Sequence, residues 1–326
     1  MINVNAFLYI IAFLFTLITT ALITRRIIPF LKSRAKQPIY EEGPSWHISK
    51  SGTPTMGGLG FTAATALTLS LASLYMLLSD KRSAALSIII CLVYALLNAL
   101  IGITDDITKL KHKKNAGLTP RAKLILQFLA SGVFLIARII LLNEGTKINL
   151  LFGTVNLGIA YCFLSMIILV GITNCANLTD GIDGLASAVA FGIGVSVFYM
   201  SYQKYEAVGF ICAAIIGSAL GFLIFNVHPA KIFMGDTGSL FLGAIIATLA
   251  FELQNPLIAI GYGGIYVIEG VSVILQVVYF KLTRKRLFKM APIHHHLEKC
   301  GWDENKICLC AIILTLLFSI PIALLL

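Results

Sequence analysis

The chain predicts an all-α polytopic membrane protein of about ten transmembrane helices, with both termini on the outer side. Three observations carry this. Apolar residues make up 58% of the 326 positions and charged residues only 12%, against roughly a quarter charged in a soluble domain. The mean hydropathy is +0.90, and the apolar residues gather in continuous runs of about 20, the length an α-helix needs to cross the hydrocarbon core. Finally, 20 of the 25 Lys and Arg residues fall in alternate loops, the bias that marks the inner side of a membrane.

The runs lie near 4–23, 57–78, 84–104, 122–142, 156–174, 185–201, 207–225, 238–254, 256–280 and 306–325. They lack the ten-residue alternation of an outer-membrane barrel. Positive charges follow the first run rather than precede it, and no small-residue cleavage site is present, so it reads as an uncleaved helix and not a signal peptide. The loops on that inner side, about 24–56, 105–121, 175–184, 226–237 and 281–305, are expected to be cytoplasmic loops of one integral membrane domain spanning 1–326. The outer loops hold only Lys81, Arg82, Lys147 and Lys204, and Arg138 lies within span 4. The net charge of +10 is mostly this asymmetry, with attraction for anionic lipid and phosphates. No basic stripe alternates with aromatics, so nucleic acid is not an expected partner. The seven cysteines form no CxxC pair, which argues against a disulfide framework or a zinc cluster.

Loop by loop, polar residues gather at the span ends. The first loop ends in Lys50-Ser-Gly-Thr-Pro-Thr-Met-Gly-Gly, where glycines permit tight turns and Pro54 stiffens the start of span 2; helix capping and small-residue packing explain the same pattern. The second opens with Asp105-Asp106, two carboxylates at the negative end of a helix dipole, a placement that calls for a cation. Lys109 falls on the same face if the helix continues. The third reads Asn174-Cys-Ala-Asn177-Leu-Thr-Asp180-Gly-Ile-Asp183. Its spacing of three aligns four oxygen-bearing side chains, the hard donors that Mg²⁺ prefers, and it contains no Lys or Arg to neutralise them. Asp183 also suits a helix N-cap. In the fourth, Asn226, His228, Lys231, Phe233, Gly235 and Asp236 follow one another closely. Phe233 beside Gly235 suits a platform for a flat base, or an interfacial anchor; Asp236 also suits a cap of span 8. The last loop carries Pro292-Ile-His294-His295-His296-Leu-Glu298. Consecutive helical residues point about 100° apart, so three imidazoles cannot converge on one ion; hydrogen bonding to phosphate is the preferred reading. Glu269, within span 9, is left unassigned. Carboxylates of like charge crowded at one surface repel, so the five aspartates predict a divalent cation, or a substrate that brings one, and metal-assisted chemistry on a phosphorylated substrate.

In this order, residues 50–58, the Asp-Asp-x-x-Lys pattern of 105–109, and residues 177–184, 226–236 and 292–302 resemble the phospho-N-acetylmuramoyl-pentapeptide transferases. These belong to the polyprenyl-phosphate N-acetylhexosamine-1-phosphate transferase superfamily. The aspartate loops are shared across the superfamily; the run from Pro292 to Glu298 with Gly301, Trp302 and Glu304 resembles the pentapeptide transferases in particular.

That resemblance implies an enzyme of the bacterial plasma membrane, active on the cytoplasmic side and homodimeric. It would transfer phospho-MurNAc-pentapeptide from UDP-MurNAc-pentapeptide to undecaprenyl phosphate, giving lipid I and UMP in peptidoglycan synthesis. Mg²⁺ would be the cofactor, held by Asp236 with Asn174 or Asn177. Asp105 or Asp106 would deprotonate or align the lipid phosphate, and Lys123 and the run His294, His295, His296 would offset phosphate charge. Lys50, Asp183, Phe233 and Gly235 would hold the uridine, with Asn177, Asp180 and Asn226 also in the substrate site. An in-line attack and a double displacement through an Asp nucleophile both fit. The alternatives are a sister transferase using UDP-GlcNAc and, more distantly, an ion transporter.

Overall fold

The computed structural model describes residues 4–35, 50, 52–112, 117–150 and 153–324. Among the expected basic-loop residues, Lys36, Lys113 and Lys114 lie outside the described residues. Among the described residues twelve α-helices run in order: α1 (Val4–Arg34), α2 (Gly58–Leu78), α3 (Arg82–His112), α4 (Pro120–Leu142), α5 (Ile159–Thr179), α6 (Leu185–Ser201), α7 (Glu206–Asn226), α8 (Gly235–Glu252), α9 (Ile258–Tyr262), α10 (Gly264–Thr283), α11 (Ile293–Glu298) and α12 (Glu304–Ser319). Eight of them, α1 to α5, α7, α10 and α12 with the 3-10 turn that carries it on to Ile322, are long and apolar enough to cross a membrane. The protein is therefore an all-α multi-pass membrane protein.

Two other expected spans are α6, a shorter apolar helix, and α8, whose ends carry Asp236 and Glu252. The expected span 256–280 is broken at Gly263 into α9 and α10. A hairpin not anticipated from sequence, β1 (Lys147–Leu150) and β2 (Gly153–Asn156), pairs antiparallel between α4 and α5 with Ile148 opposite Val155. Its strands are too short to give an alternation legible against neighbouring apolar runs. The side-chain amide of Asn255 donates to the Asn149 carbonyl at 2.6 Å and ties the hairpin to the α8–α9 turn.

The core is built around α8, buried from Thr237 to Glu252 and packed against α2, α3, α5 and α7. Small residues let these helices close in. A Cβ at Gly58 would lie 2.1 Å from the Gly238 Cα, and one at Gly102 would lie 2.2 Å from the Asp236 carbonyl oxygen. Around this centre, α4 presents Ile125, Leu129, Val133, Ile136 and Ile140 outward, the apolar stripe of a helix solvated by lipid. Arg138 within α4 turns inward instead. It pairs with buried Glu252 and donates from Nε to Glu144 Oε2 at 2.7 Å, which compensates a charge otherwise costly inside a bundle.

Candidate active site

The C-terminal ends of α3, α5 and α7 meet the N-terminal ends of α2, α8 and α12 at one end of the bundle, and α11 packs beside them. Asp105 and Asp106 lie near the end of α3, and both are buried. Asp106 accepts from the backbone amides of Asp236 (3.1 Å) and Thr237 (2.9 Å) and from the Thr237 hydroxyl (2.7 Å). It therefore caps the first turn of α8, where a carboxylate also meets the positive end of the helix dipole. Asp105 accepts from the Leu118 amide at 2.8 Å and turns Oδ2 towards Lys109 (2.6 Å) and Lys123 (3.7 Å).

Both lysines also reach Asp236: Lys109 at 3.1 Å and Lys123 in direct contact. Burial alone would raise the pKa of Asp236, but a hydrogen bond with Asp105 and the ammonium groups of Lys123 and Lys109 outweigh it and hold the carboxyl below its ordinary range. Oxygens of Asp105, Asp106 and Asp236 lie within 4.8 Å of one another, a donor set able to hold a metal ion. Three carboxylates of this kind suit a hard divalent cation.

A second cluster forms around Asp183, which is buried. Its Oδ1 accepts from Lys50 at 2.8 Å, and its Oδ2 meets His228 Nδ1 and the Ala230 amide, each at 3.0 Å. Glu304, at the start of α12, accepts from Lys50 (2.8 Å) and from the Asp183 amide (2.7 Å). A cavity of about 290 Å³ opens against this cluster, lined by His228, Glu298, Lys299, Trp302, Asp303 and Glu304. Asp180 stands between the clusters. Burial foremost, then the negative charges of Asp236, Asp106 and Asp183, push its pKa well above the ordinary carboxylate value.

A family model, glycosyl transferase family 4, matches residues 88–254. The chain is 44% identical to a phospho-N-acetylmuramoyl-pentapeptide-transferase of Clostridium acetobutylicum, over 91% of each chain. It is 45% identical to one from Clostridium botulinum, over 90% of this chain and 89% of the relative. It is 39% identical to one from a Geobacillus species, over 95% of each. The chain belongs to the phospho-N-acetylmuramoyl-pentapeptide transferase family.

In this pentapeptide-transferase fold the expected residues divide. Asp105, Asp106, Lys123 and Asp236 come together, and Asn177 joins them by donating its amide nitrogen to Asp236 Oδ1 at 3.1 Å and to Ser239 at 2.7 Å. It thus orients the carboxylate and turns its nitrogen, not its oxygen, to the cluster. Asn174, one turn earlier on α5, instead donates to Gln127 Oε1 and to the Val170 carbonyl, both at 2.8 Å. Lys50 and Asp183 form the second cluster. Asn226 is buried, accepting from the Gly184 amide at 3.1 Å and donating to the Ile232 carbonyl at 3.0 Å, so it shapes the loop backbone.

Phe233 is half-buried and is held through its backbone to Pro54 (2.8 Å) and Gly57 (2.9 Å). Gly235 adopts φ +71°, and a Cβ there would meet Asp106 Oδ2 at 2.8 Å. The three histidines diverge, as successive helical positions must. His294 turns to Glu269, His295 Nδ1 meets Glu298 at 2.6 Å, and His296 Nδ1 accepts from the Lys289 amide at 3.1 Å.

The structure corrects the expectation of uncompensated aspartates: Asp105 and Asp236 share Lys109 and Lys123, and Asp183 holds Lys50. The loop at 175–184 lacks basic residues because its partners come from other loops. The five acids, expected to crowd at one surface, divide into two clusters with Asp180 between. His228 was not singled out as a site residue, and nothing in its local sequence points to Asp183. Lys109 was legible from its i,i+4 spacing to Asp105.

Proposed function

We propose that this chain transfers phospho-MurNAc-pentapeptide from UDP-MurNAc-pentapeptide to undecaprenyl phosphate, giving lipid I and UMP. Mg²⁺ is the proposed cofactor, at the cytoplasmic face of the bacterial plasma membrane. The observation that carries this reading is the meeting of Asp105, Asp106 and Asp236 with Lys109 and Lys123 at helix ends of a membrane bundle. There a lipid phosphate and a soluble nucleotide can both reach them.

Asp236 and Asp105 are the residues suited to hold Mg²⁺, with Asp106 beside them and Asn177 against Asp236. A bound Mg²⁺ supplies charge neutralisation on the diphosphate oxygens. Lys109 and Lys123, paired with carboxylates here, stand ready to exchange those partners for phosphate oxygens, the electrostatic stabilisation that phosphoryl transfer chiefly needs. Asp106 has its oxygens engaged by α8, so its part is to place Asp236. Asp105 is the better candidate to align the lipid phosphate, one oxygen of which attacks the β-phosphorus as the bond to the UMP oxygen breaks. Lys50, Asp183 and Phe233, with the adjoining cavity, are assigned to the nucleotide.

The test is UMP release by purified protein given UDP-MurNAc-pentapeptide and undecaprenyl phosphate, with Mg²⁺ or with EDTA. Turnover that needs both substrates and Mg²⁺ supports the assignment. Turnover with UDP-GlcNAc and none with UDP-MurNAc-pentapeptide would sink it.

A further inference from the structure

Glu269 is a carboxylate on α10, within a helix that is long and apolar enough to cross a membrane. It is 3% exposed, and the imidazole it faces, His294, is fully buried. Glu269 Oε2 lies 3.0 Å from His294 Nδ1 and 3.3 Å from the His294 backbone amide. The amide can only donate, so Oε2 is already an acceptor. A ring nitrogen sharing that oxygen is best satisfied by donating too, which places the imidazole proton on Nδ1.

The opposite ring nitrogen is the unusual one. His294 Nε2 is buried with no hydrogen-bond partner among the described residues, which is destabilising unless a ligand satisfies it. It points at the backbone of Gly181, where a Cβ would come within 2.2 Å of it. Gly181 follows Asp180, the acid that lies between the two clusters. An imidazole with one nitrogen held by a buried carboxylate and the other unpaired against the loop that carries Asp180 and Gly181 has the arrangement of an oriented acid–base group.

We propose that Glu269 is a positioning residue for the transfer reaction, fixing the His294 ring with its proton on Nδ1 so that Nε2 meets the substrate phosphate. This rests on the reaction proposed above. A proton leaving a phosphate hydroxyl passes to Nε2: the O–H bond breaks, the phosphate keeps the electron pair and the N–H bond forms. The resulting positive ring then sits against the Glu269 carboxylate, and Nε2–H donates to the phosphate oxygens. Glu269 itself touches no substrate.

The experiment is a kinetic double-mutant cycle with Glu269→Gln and His294→Ala, rates normalised to the number of UMP-binding sites so that unfolded protein does not count as inactive. Glu269→Gln is expected to lower kcat about 10- to 100-fold, the range for removing the partner of a functional histidine, with KM for both substrates within about 2-fold. In the His294→Ala background the same change is expected to cost less than about 2-fold, because the two residues act as a unit. Glu269→Asp, which keeps the charge but shortens its reach, is expected to fall between wild type and Glu269→Gln; it carries the cycle if the Gln variant binds no UMP. Retention of kcat within about 2-fold, or equal losses in both backgrounds, would overturn the role of Glu269 while the proposed reaction stands. A wild-type protein that releases no UMP would overturn both.

Discussion

Replacing Gly102 by alanine tests whether the catalytic geometry depends on the seam between α3 and α8. The added Cβ would lie 2.2 Å from the Asp236 carbonyl oxygen, 2.5 Å from its carbon and 2.6 Å from the Thr237 nitrogen, whereas ordinary contact begins at 3.4 Å. The opposing atoms are backbone, so no side chain can rotate away. The start of α8 must retreat by about 1 Å, the shortfall between those distances, and take the Asp236 carboxylate with it. Overpacking of this kind costs about 1–3 kcal/mol, and a misplacement of about 1 Å in a catalytic group costs on the order of 10²-fold in rate. The assay is UMP release together with thermal unfolding in detergent. Gly132→Ala on α4 is the control, because nothing lies within 4 Å of its added Cβ, and it should leave both readouts near wild type. If Gly102→Ala kept kcat within about 2-fold with an unchanged unfolding midpoint, the inferred coupling between the α3–α8 seam and Asp236 would be wrong.

Lys123→Ala removes the ammonium in direct contact with Asp236; kcat should fall about 10²- to 10³-fold, and a change confined to KM would assign Lys123 to ground-state binding alone. Lys50→Met strips the shared cation from Asp183 and Glu304. It is expected to destabilise the protein by about 3 kcal/mol and weaken UMP binding, with partial recovery in Lys50→Met/Glu304→Gln; unchanged calorimetric titration with UMP would dissociate this cluster from the nucleotide. Asp106→Ala removes the cap of α8, at a cost of about 1 kcal/mol or more, which thermal unfolding of the variant would register. For Asp180, the folded-state pKa is raised, so the wild type loses stability as pH rises above the unfolded carboxylate value and levels off beyond the folded one. In EDTA, Asp180→Asn should therefore be more stable than wild type at pH 7 and lose that advantage near pH 4; equal unfolding midpoints at both pH values would contradict the raised pKa.

Much of this protein was legible in its sequence because the deciding signals are local. Continuous apolar runs specify membrane helices, since an unpaired backbone group in lipid is prohibitively costly. The four-residue step from Asp105 to Lys109 specifies an ion pair on one helix face, and the 100° step per residue specifies that His294, His295 and His296 must part. Tertiary packing alone decided which charges distant in sequence meet. Lys50 finds Asp183 and Glu304 at sequence separations of 133 and 254, and Asp106 caps a helix 130 positions away. Glu269, unassigned from sequence, acquires a partner only when α11 folds back on α10. Helix periodicity states which way a side chain points along its own axis. Which neighbour stands opposite depends on how close small residues such as Gly58, Gly102 and Gly238 let the helices approach, and no single segment encodes that.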